Sequence, residues 1–106
     1  MKYIMARYTV RPETVKHVKK AISEFIAEVH DHEPRTFYAV FRENGQHTFV
    51  HLMRFESDEA ERRHSRAKYN ERFVKKLLPS CVGKPSFVDF KFFAASKHHW
   101  SLNPVH

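Results

Sequence analysis

The chain has 106 residues, 42% of them hydrophobic with ten Phe, and its 19 Lys and Arg against 12 Asp and Glu give a formal net charge of +7. That is one small domain with material for a real core, which argues against disorder and against a second domain. No apolar run approaches the roughly 18 residues a membrane span needs. The opening MKYIMARYTV lacks the pattern of a secretory leader, and the single cysteine, Cys81, leaves no internal disulfide. The expectation is a soluble, cytoplasmic protein with a domain over residues 1–94 and a tail over residues 95–106 that docks through Trp100.

Residues 3–10 alternate and are rich in β-branched and aromatic types, a strand. Pro12 and Glu13 suit the first turn of a helix. Val15, Val18, Ile22, Phe25 and Val29 then recur at three- and four-residue spacing, an apolar stripe widened by Ala21 and Ile26. Glu33-Pro34 ends that helix. Residues 36–43 and 46–56 read as strands joined by Asn44-Gly45, a two-residue hairpin loop that pairs Val40 with Phe49 and Tyr38 with His51. The alternation divides the hairpin into two faces. Phe37, Ala39, Phe41, Val50 and Leu52 read as plain core. Tyr38, Val40, Arg42, His47, Phe49, His51, Met53 and Phe55 form the other face, apolar but set with groups that hydrogen-bond or titrate.

Ser57 reads as the N-cap of a second helix, with Asp58 and Glu59 in its first turn and Ala60, His64 and Ala67 inward. A further helical piece turns Phe73, Val74, Leu77 and Leu78 inward and stops at Pro79. Residues 87–94 are the last strand. The order βαββαβ predicts an α+β, ferredoxin-like fold, a four-stranded antiparallel sheet with helices on one face. The uncovered face of such a sheet is normally polar. Here Tyr38, Val40, Phe49, Met53 and Phe55 make it apolar, and the last strand carries Phe on both sides. Apolar area of that extent marks an interface, so the expectation is a homodimer with the two open sheet faces packed about a two-fold axis. A monomer covered by its own tail is the alternative.

Residues 8–94 resemble the antibiotic biosynthesis monooxygenase (ABM) domain family, whose fold is a dimeric α/β barrel. The residues that carry the resemblance are Tyr8-Thr9-Val10-Arg11-Pro12-Glu13, then Glu33-Pro34-Arg35-Thr36 before Tyr38-Ala39-Val40-Phe41. Thr48-Phe49-Val50-His51-Leu52 follows, and then Phe55-Glu56-Ser57-Asp58-Glu59-Ala60 with His64 four residues beyond. Met53 stands where many members carry a Glu on the third strand. The resemblance implies oxygenation of a small quinol or polyphenol-type aromatic substrate with no metal, flavin or haem cofactor. A deprotonated hydroquinone reduces O₂ by itself, so the protein need only bind it and hold a base near it, and histidine suits that task. His64, which matches the family's recurrent His, or His51 is the candidate base. Tyr38 is the candidate hydrogen-bonding partner, and Met53, Phe55 and Phe49 the candidate pocket wall.

The same order of elements also occurs in other classes of protein. Haem-degrading enzymes of this fold carry an inward Trp at the end of the third strand and an Asn on the first, where this chain has Phe55 and offers Arg7 and Thr9. RNA-recognition modules share the topology, yet the third strand lacks their Arg-Gly-Phe-Gly opening. The seven Lys and Arg that face two Glu between positions 61 and 76 lie on the helical side, so no nucleic-acid partner is expected. His98-His99 has no partner at metal-ligand spacing, and Cys81 reads as an inert buried thiol. A non-catalytic barrel of stress-response or scaffold type differs from an enzyme in one respect: a catalyst needs a cavity for one or two fused rings with a base at its edge.

Overall fold

The computed structural model describes residues 1–96, so His98, His99, Trp100 and the proposed docking of the tail lie outside the described residues. Four antiparallel strands, β1 (Lys2–Thr9), β2 (Phe37–Arg42), β3 (Thr48–Phe55) and β4 (Ser86–Phe90), form one sheet in the order β2-β3-β1-β4. Helix α1 (Val15–His32) connects β1 to β2, and α2 (Asp58–Arg66) and α3 (Lys68–Leu77) connect β3 to β4. This is the ferredoxin-like arrangement, with helices on one face of the sheet.

Each helix follows from its local chemistry. Pro12 opens a short 3-10 turn that leads into α1, whose stripe Val18, Ala21, Ile22, Phe25 and Val29 is buried. Ser57 caps α2 by accepting from the Ala60 N–H at 3.1 Å. Ala67, in extended conformation, ends α2 and begins α3, so the second helical region is broken in two as its sequence predicts. Phe25 of α1 stacks on Phe73 of α3 with ring centroids 4.5 Å apart, which ties the two helices together.

The structure corrects four expectations. The hairpin pairs Tyr38 with Met53, Val40 with His51 and Arg42 with Phe49, two residues away from the expected register. Its loop is longer because the His47 carbonyl is taken by the Val10 N–H of β1 at 2.9 Å, and the chain turns instead through a Glu43–Gln46 hydrogen bond with Gly45 at φ 66. A shift of two leaves each side chain on its own face.

The faces themselves, however, are reversed. Phe49, His51, Met53 and Phe55 lie buried against the helices, whereas Phe37, Ala39, Phe41, Val50 and Leu52 occupy the uncovered side, Phe41 being 52% exposed. The face expected to be open, and to make the dimer, is therefore the covered one. In β4 the regular strand stops at Phe90, opposite Tyr3, because β1 has almost no residues left to pair with. Finally, Phe73 and Leu77 point inward but Val74 and Leu78 are exposed.

Candidate active site

A cavity of about 480 Å³ lies between the covered side of the sheet and helices α2 and α3. Ile4, Ala6, Met53 and Phe55 line it from the sheet and Phe73 and Leu77 from α3, leaving a mostly apolar interior. Cavities that take small molecules run roughly 300–1,000 Å³ and combine such walls with a few placed polar groups. Here those groups fall into two hydrogen-bonded sets.

In the first set His51 of β3 is held from both sides. Its Nε2 is 2.7 Å from the Tyr8 hydroxyl and its Nδ1 is 2.8 Å from the Tyr38 hydroxyl. The ring is only 1% exposed, and burial lowers its pKa to about 4, with the nearby His64 acting in the same direction. Burial likewise pushes the phenols of Tyr8 and Tyr38 well above their ordinary range. All three groups are neutral at physiological pH.

The second set is centred on Glu33, the residue that ends α1. Its Oε2 accepts from His64 Nδ1 at 2.7 Å and from the Tyr69 hydroxyl. The break at Ala67 makes this possible, since His64 closes α2 and Tyr69 opens α3. A carboxylate at a helix C-terminus sits at the negative end of the helix dipole and needs compensation. Burial pushes the Glu33 carboxyl up, but the hydrogen bonds from His64 and Tyr69 outweigh it and hold the carboxyl below its usual range. An ionised carboxylate only accepts, so His64 carries its proton on Nδ1. Nε2 makes no hydrogen bond among the described residues and is the nitrogen available to a ligand. The two sets meet where the Tyr38 and His64 rings lie 5.6 Å apart.

Of the residues singled out from the sequence, Tyr38, His51, Met53, Phe55 and His64 share this cavity. Phe49 does not: it packs in the core against Tyr8, with ring centroids 5.8 Å apart. Cys81 is half-buried rather than fully buried, and burial raises its pKa. Glu33, Tyr69 and Tyr8 were missed as site residues. Glu33 looked like a helix stop, yet an acid at the unfavourable end of a dipole was itself the signal. A groove of about 790 Å³ beside the C-terminal end of α1 is lined by Glu33 and Tyr38, and Tyr38 lines the cavity as well, so it stands between the two spaces. Among the described residues, no group of three or more His, Cys, Asp or Glu could hold a metal ion, and no helix is long and apolar enough to cross a membrane.

The family model for antibiotic biosynthesis monooxygenases matches residues 1–76. The chain belongs to that family. The matched segment carries both hydrogen-bonded sets, from Tyr8 to Tyr69, while β4 falls beyond it. No curated protein matches the sequence. Among solved structures, the chain is 18% identical to an antibiotic biosynthesis monooxygenase, with 89% of this chain and all (100%) of that one covered at a TM-score of 0.81. A Caulobacter crescentus protein provisionally named for the same family is 19% identical over 88% of this chain and 90% of that one, TM-score 0.81. A conserved protein of Methanosarcina mazei is 16% identical over 85% of this chain and 90% of that one, TM-score 0.79. At such identities these relatives establish the fold alone.

Proposed function

We propose that the chain is a monooxygenase of quinol or polyphenol-type aromatics, in which the substrate's own electrons reduce O₂ without a bound metal, flavin or haem. The observation that carries this reading is His64, in the wall of an apolar cavity large enough for fused rings, with its Nδ1 held by Glu33 at 2.7 Å. Glu33 fixes the imidazole with Nε2 free, and His64 takes the proton of a ring hydroxyl. The phenolate passes an electron to O₂, the resulting ring radical and superoxide combine at a ring carbon bearing hydrogen, and the peroxide so formed takes back the proton held by His64. Loss of water from that hydroperoxide leaves a carbonyl, so one oxygen atom enters the ring and the other leaves as water. Met53 and Phe55 provide the wall for the ring, and Tyr38 offers a hydrogen bond to its oxygen. His51 is not the base, because both its nitrogens are engaged and it is held neutral.

The protein acts as a homodimer in this reading, through the uncovered face that carries Phe37, Phe41, Leu52, Val88 and Phe90. A cytoplasmic location belongs to the same proposal. Oxygen uptake across a panel of quinols and phenols tests it directly. His64→Ala is expected to lower kcat/KM by about 10²- to 10⁴-fold while leaving the oligomer intact. Unchanged turnover in that variant, or no uptake with any member of the panel, overturns the proposal.

A further inference from the structure

The Tyr8–His51–Tyr38 set is the part of the cavity wall outside the acid–base pair, and only Tyr38 of it has so far been given a role. Both nitrogens of His51 lie within 2.8 Å of a phenol oxygen. A neutral imidazole has one N–H and one lone pair. One tyrosine therefore donates its hydrogen to the ring. The other accepts the ring's N–H, and its own O–H is left over. Which tyrosine does which depends only on the tautomer. Neither hydroxyl has another hydrogen-bond partner among the described residues, and both tyrosines line the cavity.

We infer that Tyr8, His51 and Tyr38 form one interchangeable donor site that presents a single phenolic O–H, from either tyrosine, to an anionic oxygen on a ring bound in the cavity. This rests on the aromatic-oxygenase reading and deepens it by naming the form in which the ligand is held, a phenolate whose charge is met by a phenol. His51 is a positioning residue. Exchange of its single N–H proton between Nδ1 and Nε2, the loss and the gain passing through the hydrogen-bonded phenols and solvent, selects the tyrosine that faces the ligand. Its surroundings preserve the single-donor state: it is packed among Tyr8, Tyr38 and Phe73, and its lowered pKa keeps it neutral. A doubly protonated ring would donate to both tyrosines and release both hydroxyls. A donor fixed in a water-poor cavity strengthens markedly toward an anion, since it needs no reorientation when the charge develops.

The probe is 4-nitrophenolate, whose binding is followed by its absorbance and involves no oxygen chemistry; 4-nitroanisole, which cannot ionise, is the control. Tyr8→Phe and Tyr38→Phe are each expected to weaken phenolate binding by less than about threefold, because the tautomer brings the remaining hydroxyl into use. The double variant is expected to weaken it by about tenfold or more while nitroanisole binding is kept. Full loss in either single variant, or none in the double, overturns the inference. Independently of any variant, ¹⁵N spectra of the histidine-labelled wild type should show one protonated and one bare nitrogen on His51, with the protonated position responding to nitrophenolate. A ring carrying both protons at neutral pH, or one indifferent to the ligand, also overturns it. Failure of oxygen uptake alone would remove the oxygenase reading and leave these binding results standing.

Discussion

On the side of the sheet that meets the helices, Tyr8, Tyr38 and His51 satisfy one another's hydrogen bonds around a cavity. On the other side, Phe41, Val88 and Phe90 are 52%, 41% and 46% exposed and nothing in the described chain covers them. The buried side thus holds a polar network and the uncovered side a run of apolar surface, each a departure from the usual division for a sheet covered on one face. The contrast separates two tasks. Polar groups that are fully partnered can be buried and made specific, while an apolar surface without partners is suited to contact with a second copy.

The strongest way to break this contrast is to charge the uncovered side. Leu52, flanked by Met5 and Ala39 in the middle of that face, becomes unacceptable in a dimer as Leu52→Asp, since each copy buries an unpaired carboxylate at a cost of several kcal/mol. Sedimentation should then report a 12.7 kDa particle in place of one twice that mass. A wild type that already sediments as the single particle would remove the association half of the comparison.

Acid challenges the covered side. The unfolded chain protonates His51 near 6.5, whereas the folded ring holds out to about 4. Falling pH therefore feeds the unfolded state. The stability that depends on a neutral His51 is complete above about pH 6.5 and about 3 kcal/mol of it is lost by about pH 4. Glu33, whose carboxyl is lowered, adds a loss of the same sign below its unfolded value of 4.5. Denaturant midpoints measured across that range should fall steadily, and a flat profile would mean that His51 is not held neutral.

A finer probe is Glu33→Gln, which keeps the shape but no longer requires a proton on His64 Nδ1. Turnover should fall by tens-fold to about a hundredfold, less than for His64→Ala, with binding of the aromatic ligand nearly unchanged. The smallest effect is expected at the rim of the uncovered face. Arg7 holds Glu43 through two contacts of 2.7 and 3.2 Å, but both side chains are well exposed, so Arg7→Ala should leave the thermal midpoint within error.

Most of the scaffold was legible in the residues. The stripe on α1, the Ser57 cap, the break after α2 and the membership of each hairpin face all follow from spacing. What spacing could not tell was which face is inward. Hydropathy penalises every tyrosine and histidine equally, whether it faces water or a reciprocal partner. Tyr8 lies 43 residues from His51, and only the β1–β3 pairing brings their polar atoms together. Glu33 and His64 are 31 apart for the same kind of reason. Tyr38, His51 and His64 stand out in the sequence because a titratable group on an apolar pattern is conspicuous, and the structure brings them to one cavity. Phe49 was misplaced because a phenylalanine in the core and one in a cavity wall look alike.

The hairpin tip has a consequence for how this chain tolerates insertions and deletions. Two linking residues or four give the same partition of side chains, because both counts are even. The tip can therefore gain or lose residues in pairs while Tyr38 and His51 stay with the helices. A single added residue that shifted the pairing by one would turn β2 over relative to β3. Tyr38 would be carried out to the uncovered side and Phe37 or Ala39 into the cavity, so one length polymorphism would remake the cavity wall and the uncovered face together.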